Sequence, residues 1–81
     1  MIQYAHMTFD PNKVYRLSPV LDNTILQNHI VYVKRLTADA NGGAMLLVQF
    51  TTQDAVARKR LADADFPEFA LVRPSFVVPI R

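Results

Sequence analysis

Two apolar-rich segments with a period close to two, HIVYVKRL (29–36) and AMLLVQF (44–50), predict a pair of β-strands. The intervening TADANGG contains Asn41-Gly42, a pair that readily takes the left-handed backbone of a tight turn, so the two segments are expected to form a hairpin. With that pair at the turn centre, Val33 faces Phe50, Lys34 faces Gln49, Arg35 faces Val48 and Leu36 faces Leu47. Val31, Val33, Leu46, Val48 and Phe50 then share one side, the expected core. Ile30, Tyr32, Leu36 and Leu47 share the other, which should be wet yet is half apolar. A sheet apolar on both faces must close on itself, be covered, or meet a partner.

The period changes after Phe50. TTQDAVARKRLADA reads as a helix, with Thr51 as N-cap and Asp54 three residues on as a capping-box partner, and with Ala57, Leu61 and Ala64 as its buried stripe. Phe66-Pro67 ends it, because a residue before proline is pushed out of helical geometry, and Phe66 and Phe69 are placed to plug the end of the sheet. Upstream, KVYRL (13–17) is a short strand bounded by prolines. Downstream, the tail is two short strands broken at Pro74, with Pro79 marking an edge. Residues 1–9 alternate in strand fashion and form an edge strand or a loose arm.

Length and composition narrow the kind of object this is. At 81 residues the chain is one domain, and one this small is marginally stable. It has no cysteine, which excludes disulfides and thiolate metal sites, so a well-filled core or self-association is left to stabilise it. A 51% hydrophobic content with 20% charged residues fits a globular domain with apolar surface to spare. The net charge of +2 is mildly basic, short of a dedicated nucleic-acid binder. No run is long and apolar enough for a membrane helix, and MIQYAHMTFD lacks the layout of a secretion signal, so a soluble, cytoplasmic protein is expected.

Candidate chemistry is sparse. Arg58, Lys59 and Arg60 are consecutive and fan over about 200° of a helix, so they cannot make one patch. Asp54 lies four before Arg58 and Asp63 four after Lys59, which supplies two of the three cations with i, i+4 partners. Arg60 falls at the edge of the apolar arc, where its stem can cover apolar surface. His6 and His29 are too few for a zinc site, and Asp39-Ala40-Asn41-Gly42 lacks the further ligands of a calcium loop. The two glycines are adjacent in the hairpin turn, so there is no phosphate-cradling loop, and neither serine has a nucleophile context. No catalytic residue, cofactor or metal is assigned, and no enzyme activity is expected.

The order of elements (short strands, a hairpin, one helix, two terminal strands) resembles the small β-barrels of the Src-homology type, in which a carboxy-terminal strand returns to pair with the first. The resemblance is architectural, spans residues 13–80 and carries no functional residue with it. The competing architecture is an open antiparallel α+β sheet with the helix packed on one face. The leading functional expectation is a non-enzymatic interaction module that binds a protein partner or itself through Ile30, Tyr32, Leu36 and Leu47, in the manner of accessory proteins of viruses, plasmids or larger complexes. The alternative is a small nucleic-acid-binding domain using Arg16, Lys34, Arg35 and Arg73, with Arg60, and with Tyr15 and Tyr32 as stacking surfaces.

Overall fold

A computed structural model describes residues 1–80. It is mainly β with one helix: β1 (Ile2–Tyr4), β2 (Met7–Phe9), β3 (Val14–Leu17), β4 (Ile30–Ala38), β5 (Ala44–Phe50), α1 (Ala55–Asp63), β6 (Phe69–Val72), a 3₁₀ turn over Pro74–Phe76 and β7 (Val77–Pro79). β1 and β2 form a small hairpin, and the other five strands make one antiparallel sheet in the order β6-β5-β4-β3-β7. The terminal strand does return to the first strand of the sheet, with Leu17 opposite Val77 and Tyr15 opposite Pro79.

This order forces the sheet to curl. Across five flat strands the two edges would stand about 19 Å apart. Only residues 73–76 join β6 to β7, and three of them are wound into a 3₁₀ turn rising about 2 Å per residue. Such a link cannot span a flat sheet, so the sheet curves. No β6–β7 ladder forms among the described residues, so the expected closed barrel is not completed. The seam stays open because Pro79 has no N–H and the Val77 N–H is already given to Pro74 O.

The concave side holds the core. Leu17, Val31, Val33, Leu46, Val48 and Leu61 are almost wholly excluded from solvent, joined by Phe9, Tyr15, Leu21, Leu26, Ala70, Val72 and Val77. Four of the five residues expected on the core side of the hairpin are fully buried, while Phe50 is half-buried and packs against the cluster. The segment 18–29 folds over one end of the sheet, held by Gln27 Nε2 donating to Leu21 O at 2.7 Å and the Asn28 N–H donating to Leu17 O at 3.0 Å. Residues 1–9 are an ordered hairpin against β4. Phe9 is buried edge-on to Tyr15 at 5.5 Å, and the Tyr15 hydroxyl accepts from the Asp10 N–H.

The hairpin register differs from the expected one: Val33 lies opposite Val48, Val31 opposite Phe50, and Leu36 opposite Leu46. The turn centres on Ala40-Asn41, with Gly42 in the left-handed region at φ 82°, because Asp39 caps the loop through Oδ1, which accepts from the Asn41 and Gly43 N–H groups at 2.9 and 2.8 Å. A bulge between Val33 and Arg35 adds a second one-residue shift, and two shifts restore the original face at Val31 and Val33.

The helix starts later than expected. Its N-cap is Asp54, whose carboxylate accepts from the Val56 and Ala57 N–H groups. Thr51 instead ends the β4–β5 ladder, its N–H and hydroxyl both donating to Ile30 O. Asp54 is therefore occupied with backbone and makes no ion pair with Arg58, whereas the Lys59–Asp63 pair does form at 2.9 Å. Of the expected stripe Leu61 is buried, with Ala57 and Ala64 half-buried beside it. The helix ends in a Schellman motif, with the Phe66 N–H given to Leu61 O and the Asp65 N–H to Ala62 O. Phe66 packs against the core, but Phe69 does not plug the sheet; it is 40% exposed.

Candidate functional site: the outer face of the sheet

Alternation along each strand builds the convex face. The register lines up Val14, Tyr32, Gln49 and Phe69 in one row across four strands. Arg35, Leu47 and Leu71 form a second row, and Val78, Arg16 and Ile30 a third. Leu71, Phe69 and Val14 are 49%, 40% and 37% exposed, and Tyr32, Leu47, Ile30 and Val78 are half-buried. At the β5–β6 side the face dips into a shallow hollow lined by Leu47, Phe66, Phe69, Ala70, Leu71 and Asp65.

The face thus collects three of the four residues expected on it: Ile30, Tyr32 and Leu47. Leu36 is the exception. The bulge rotates it onto the side of Leu46, its cross-strand partner, where it sits 40% exposed beyond the margin of the core. Val14, Phe69 and Leu71 were missed. The alternation in FALV, out-in-out-in, was the available signal for the last two, and it needed β6 to be placed beside β5 before its outward pair could join Leu47.

The basic residues separate into three groups. Arg16 and Arg35 are exposed within the rows of the outer face, and Lys34 is the unpaired residue of the bulge. None of the three is in an ion pair among the described residues. Arg60 lies on α1 beside Ile25, Gln27 and His29, away from the rows of the sheet. Arg73 is engaged within the chain: its guanidinium donates to Asp39 Oδ2 and, at 3.2 Å, to Ala44 O. Pro74 stands where the β5–β6 ladder would next supply a donor to Ala44 O, and having no N–H it leaves that oxygen to Arg73. Arg73, followed by the Gly43 N–H, holds the Asp39 carboxyl below its ordinary value. Tyr15 is lost as a stacking surface because it is buried.

No family model matches this chain, and no curated protein or solved structure matches it. The described residues hold no group of three or more His, Cys, Asp or Glu placed to share a metal ion, and no helix long and apolar enough to cross a membrane. His29 is stacked edge-on against Phe50 at 5.4 Å, a packing role.

Proposed function

We propose that the protein is a non-enzymatic interaction module, a rolled sheet of the Src-homology kind whose outer face docks a protein surface, either another chain or a second copy. The observation that carries this reading is the row Val14–Tyr32–Gln49–Phe69 with Leu47 and Leu71 alongside: a largely apolar strip across four strands, interrupted by the Gln49–Glu68 hydrogen bond and left uncovered by the single helix. Half-exposed aromatic and aliphatic side chains ringed by Arg16 and Arg35 match the make-up of interface centres, which are rich in Tyr, Phe and Arg. The reading assigns no catalytic residue, cofactor or metal, and it places the protein in the cytoplasm.

A second reading has its own support. Arg16, Lys34 and Arg35 are exposed, have no acidic partner among the described residues and sit around Tyr32, an arrangement that also suits single-stranded nucleic acid.

One experiment separates the two. A photo-cross-linking side chain is placed at position 32 or 47, with position 12 as an exposed control, and irradiated in the cells that express the protein. Protein adducts at 32 and 47 but not at 12, lost on Leu47→Glu or Tyr32→Glu in the companion position, are the expected result. Nucleic-acid adducts at those positions, with binding that falls steeply between about 50 and 200 mM salt, replace this reading with the second. No adduct at either position overturns both.

A further inference from the structure

The backbone of the sheet has two edges, and they differ in what they offer. In β5–β6 the Phe50 N–H donates to Glu68 O, so the even-numbered residues of β6 face β5 and the odd-numbered ones, Phe69 and Leu71, direct N–H and C=O outward. No bond to these outward groups is made among the described residues. Their side chains are exposed and apolar, and the strand Phe69-Ala70-Leu71-Val72 contains no proline, charge or bulge. Those are the devices by which proteins normally blunt an edge. The opposite edge offers no free donor. On β7 the outward residues are Val77, whose N–H is committed to Pro74 O, and Pro79, which has none. The strands of the amino-terminal hairpin are only three residues long.

We infer that the β6 edge is a pairing site for the β6 edge of a second copy, giving a two-fold antiparallel dimer with one continuous sheet. The inference goes beyond the interaction-module reading: it concerns the edge of the sheet and leaves the outer face free for a different partner. With Phe69 opposite Leu71 of the other copy and the two-fold axis passing beside Ala70, the two outward residues exchange both of their bonds, twice over. All four N–H groups find acceptors within the strands themselves. The ladder has firm ends, because Pro67 lacks an N–H on one side and Pro74 begins the 3₁₀ turn on the other. Each Phe69 ring comes opposite a Leu71 side chain across the joint, beside the hollow floored by Leu47 and Phe66. A head-to-tail arrangement through β7 could make only half of these bonds, because β7 offers outward carbonyls but no outward donors, so a second β6 is the fuller complement.

Sedimentation velocity over a concentration series, with amide exchange on the same samples, tests this. The wild type is expected to reach twice the 9.2 kDa chain mass, with the Phe69 and Leu71 amides protected only in the dimer. Leu71→Pro removes two of the four inter-chain donors without touching the β5 ladder, and should weaken the dimer at least about tenfold at unchanged circular dichroism. Leu71→Lys, which keeps the N–H but sets like charges beside the joint, should weaken it too and covers the case in which the proline variant does not fold. Tyr32→Glu, two strands from the seam, should leave the dimer intact. A wild type that stays monomeric at millimolar concentration overturns the inference. So does a dimer that survives Leu71→Lys with unprotected edge amides. Dissociation by Tyr32→Glu alone overturns it as well, while leaving the outer-face reading standing.

Discussion

Replacing Leu61 by alanine measures how α1 is held. Leu61 is the only fully buried residue of the helix, at 1% exposure; most of the others are exposed, and Val56 is 62% so. The helix of nine residues is too short to persist on its own, so its order depends on this one side chain and on the Schellman end that ties Phe66 to it. Leu→Ala in a core costs about 2–5 kcal/mol, depending on how far the site can collapse. Leu61 lies where the helix meets the sheet, with exposed neighbours on its outer side that can close in, so a value of about 3 kcal/mol is expected. Leu46, surrounded within the sheet and 0% exposed, should lie near the upper end, about 4–5 kcal/mol. Val56→Ala should stay within about 0.5 kcal/mol.

At roughly 0.05–0.15 kcal/mol per residue the whole chain has about 4–12 kcal/mol, so Leu61→Ala removes a quarter or more of it. The assay is urea unfolding followed by circular dichroism, with the slope compared between variants. In a domain of this size the melting temperature should fall by about 12–24 °C. A cost below about 1 kcal/mol at unchanged slope would refute the single-anchor argument, as would a larger loss from Val56→Ala than from Leu61→Ala.

Two further predictions concern chain turns. Asp65 occupies the left-handed C′ position of α1 at φ 67°, where a non-glycine residue is strained, so Asp65→Gly should stabilise the protein by up to about 1 kcal/mol in the same urea assay; a loss of stability would show the carboxylate has another role. Asp39 has its pKa lowered in the folded state by Arg73 and the Gly43 N–H, so its contribution is present above the ordinary aspartate value and is lost as pH falls through the lower folded one. Melting temperature followed from pH 7 downward should therefore drop less in Asp39→Asn than in the wild type, and parallel curves would disprove the coupling.

The long elements were legible in the sequence because each carries its own period. β4 and β5 follow from side-chain spacing and the break at Pro74 from proline itself, and the buried set Val31, Val33, Leu46 and Val48 follows from the spacing. What failed depended on competition between neighbouring caps. Asp39 outbid Asn41-Gly42 for control of the turn, and Asp54 outbid Thr51 for the helix start, in each case because a carboxylate placed before two free N–H groups satisfies both. The bulge at Lys34 has no local signature; it reconciles a turn of one length with a core of another, and only the assembled sheet imposes that. The outer face was half legible for the same reason. Its β4 and β5 members are visible in the hairpin, but Phe69, Leu71 and Val14 join it through strand neighbours far away in sequence.

Gly43 carries a consequence for how this sequence can drift. A Cβ there would lie 2.5 Å from Arg73 Nη1 and 3.0 Å from Asp39 Oδ2. The guanidinium is the end of a flexible side chain and can swing away, but in doing so it abandons both Asp39 and the Ala44 oxygen that Pro74 cannot serve. A side chain at position 43 is thus costlier while Arg73 is present than once it has gone, when the Asp39 carboxylate at 3.0 Å is the remaining close contact. Substitutions at these two sites, thirty residues apart along the chain, have a preferred historical order, and variants that carry a larger residue at 43 should already have lost the arginine.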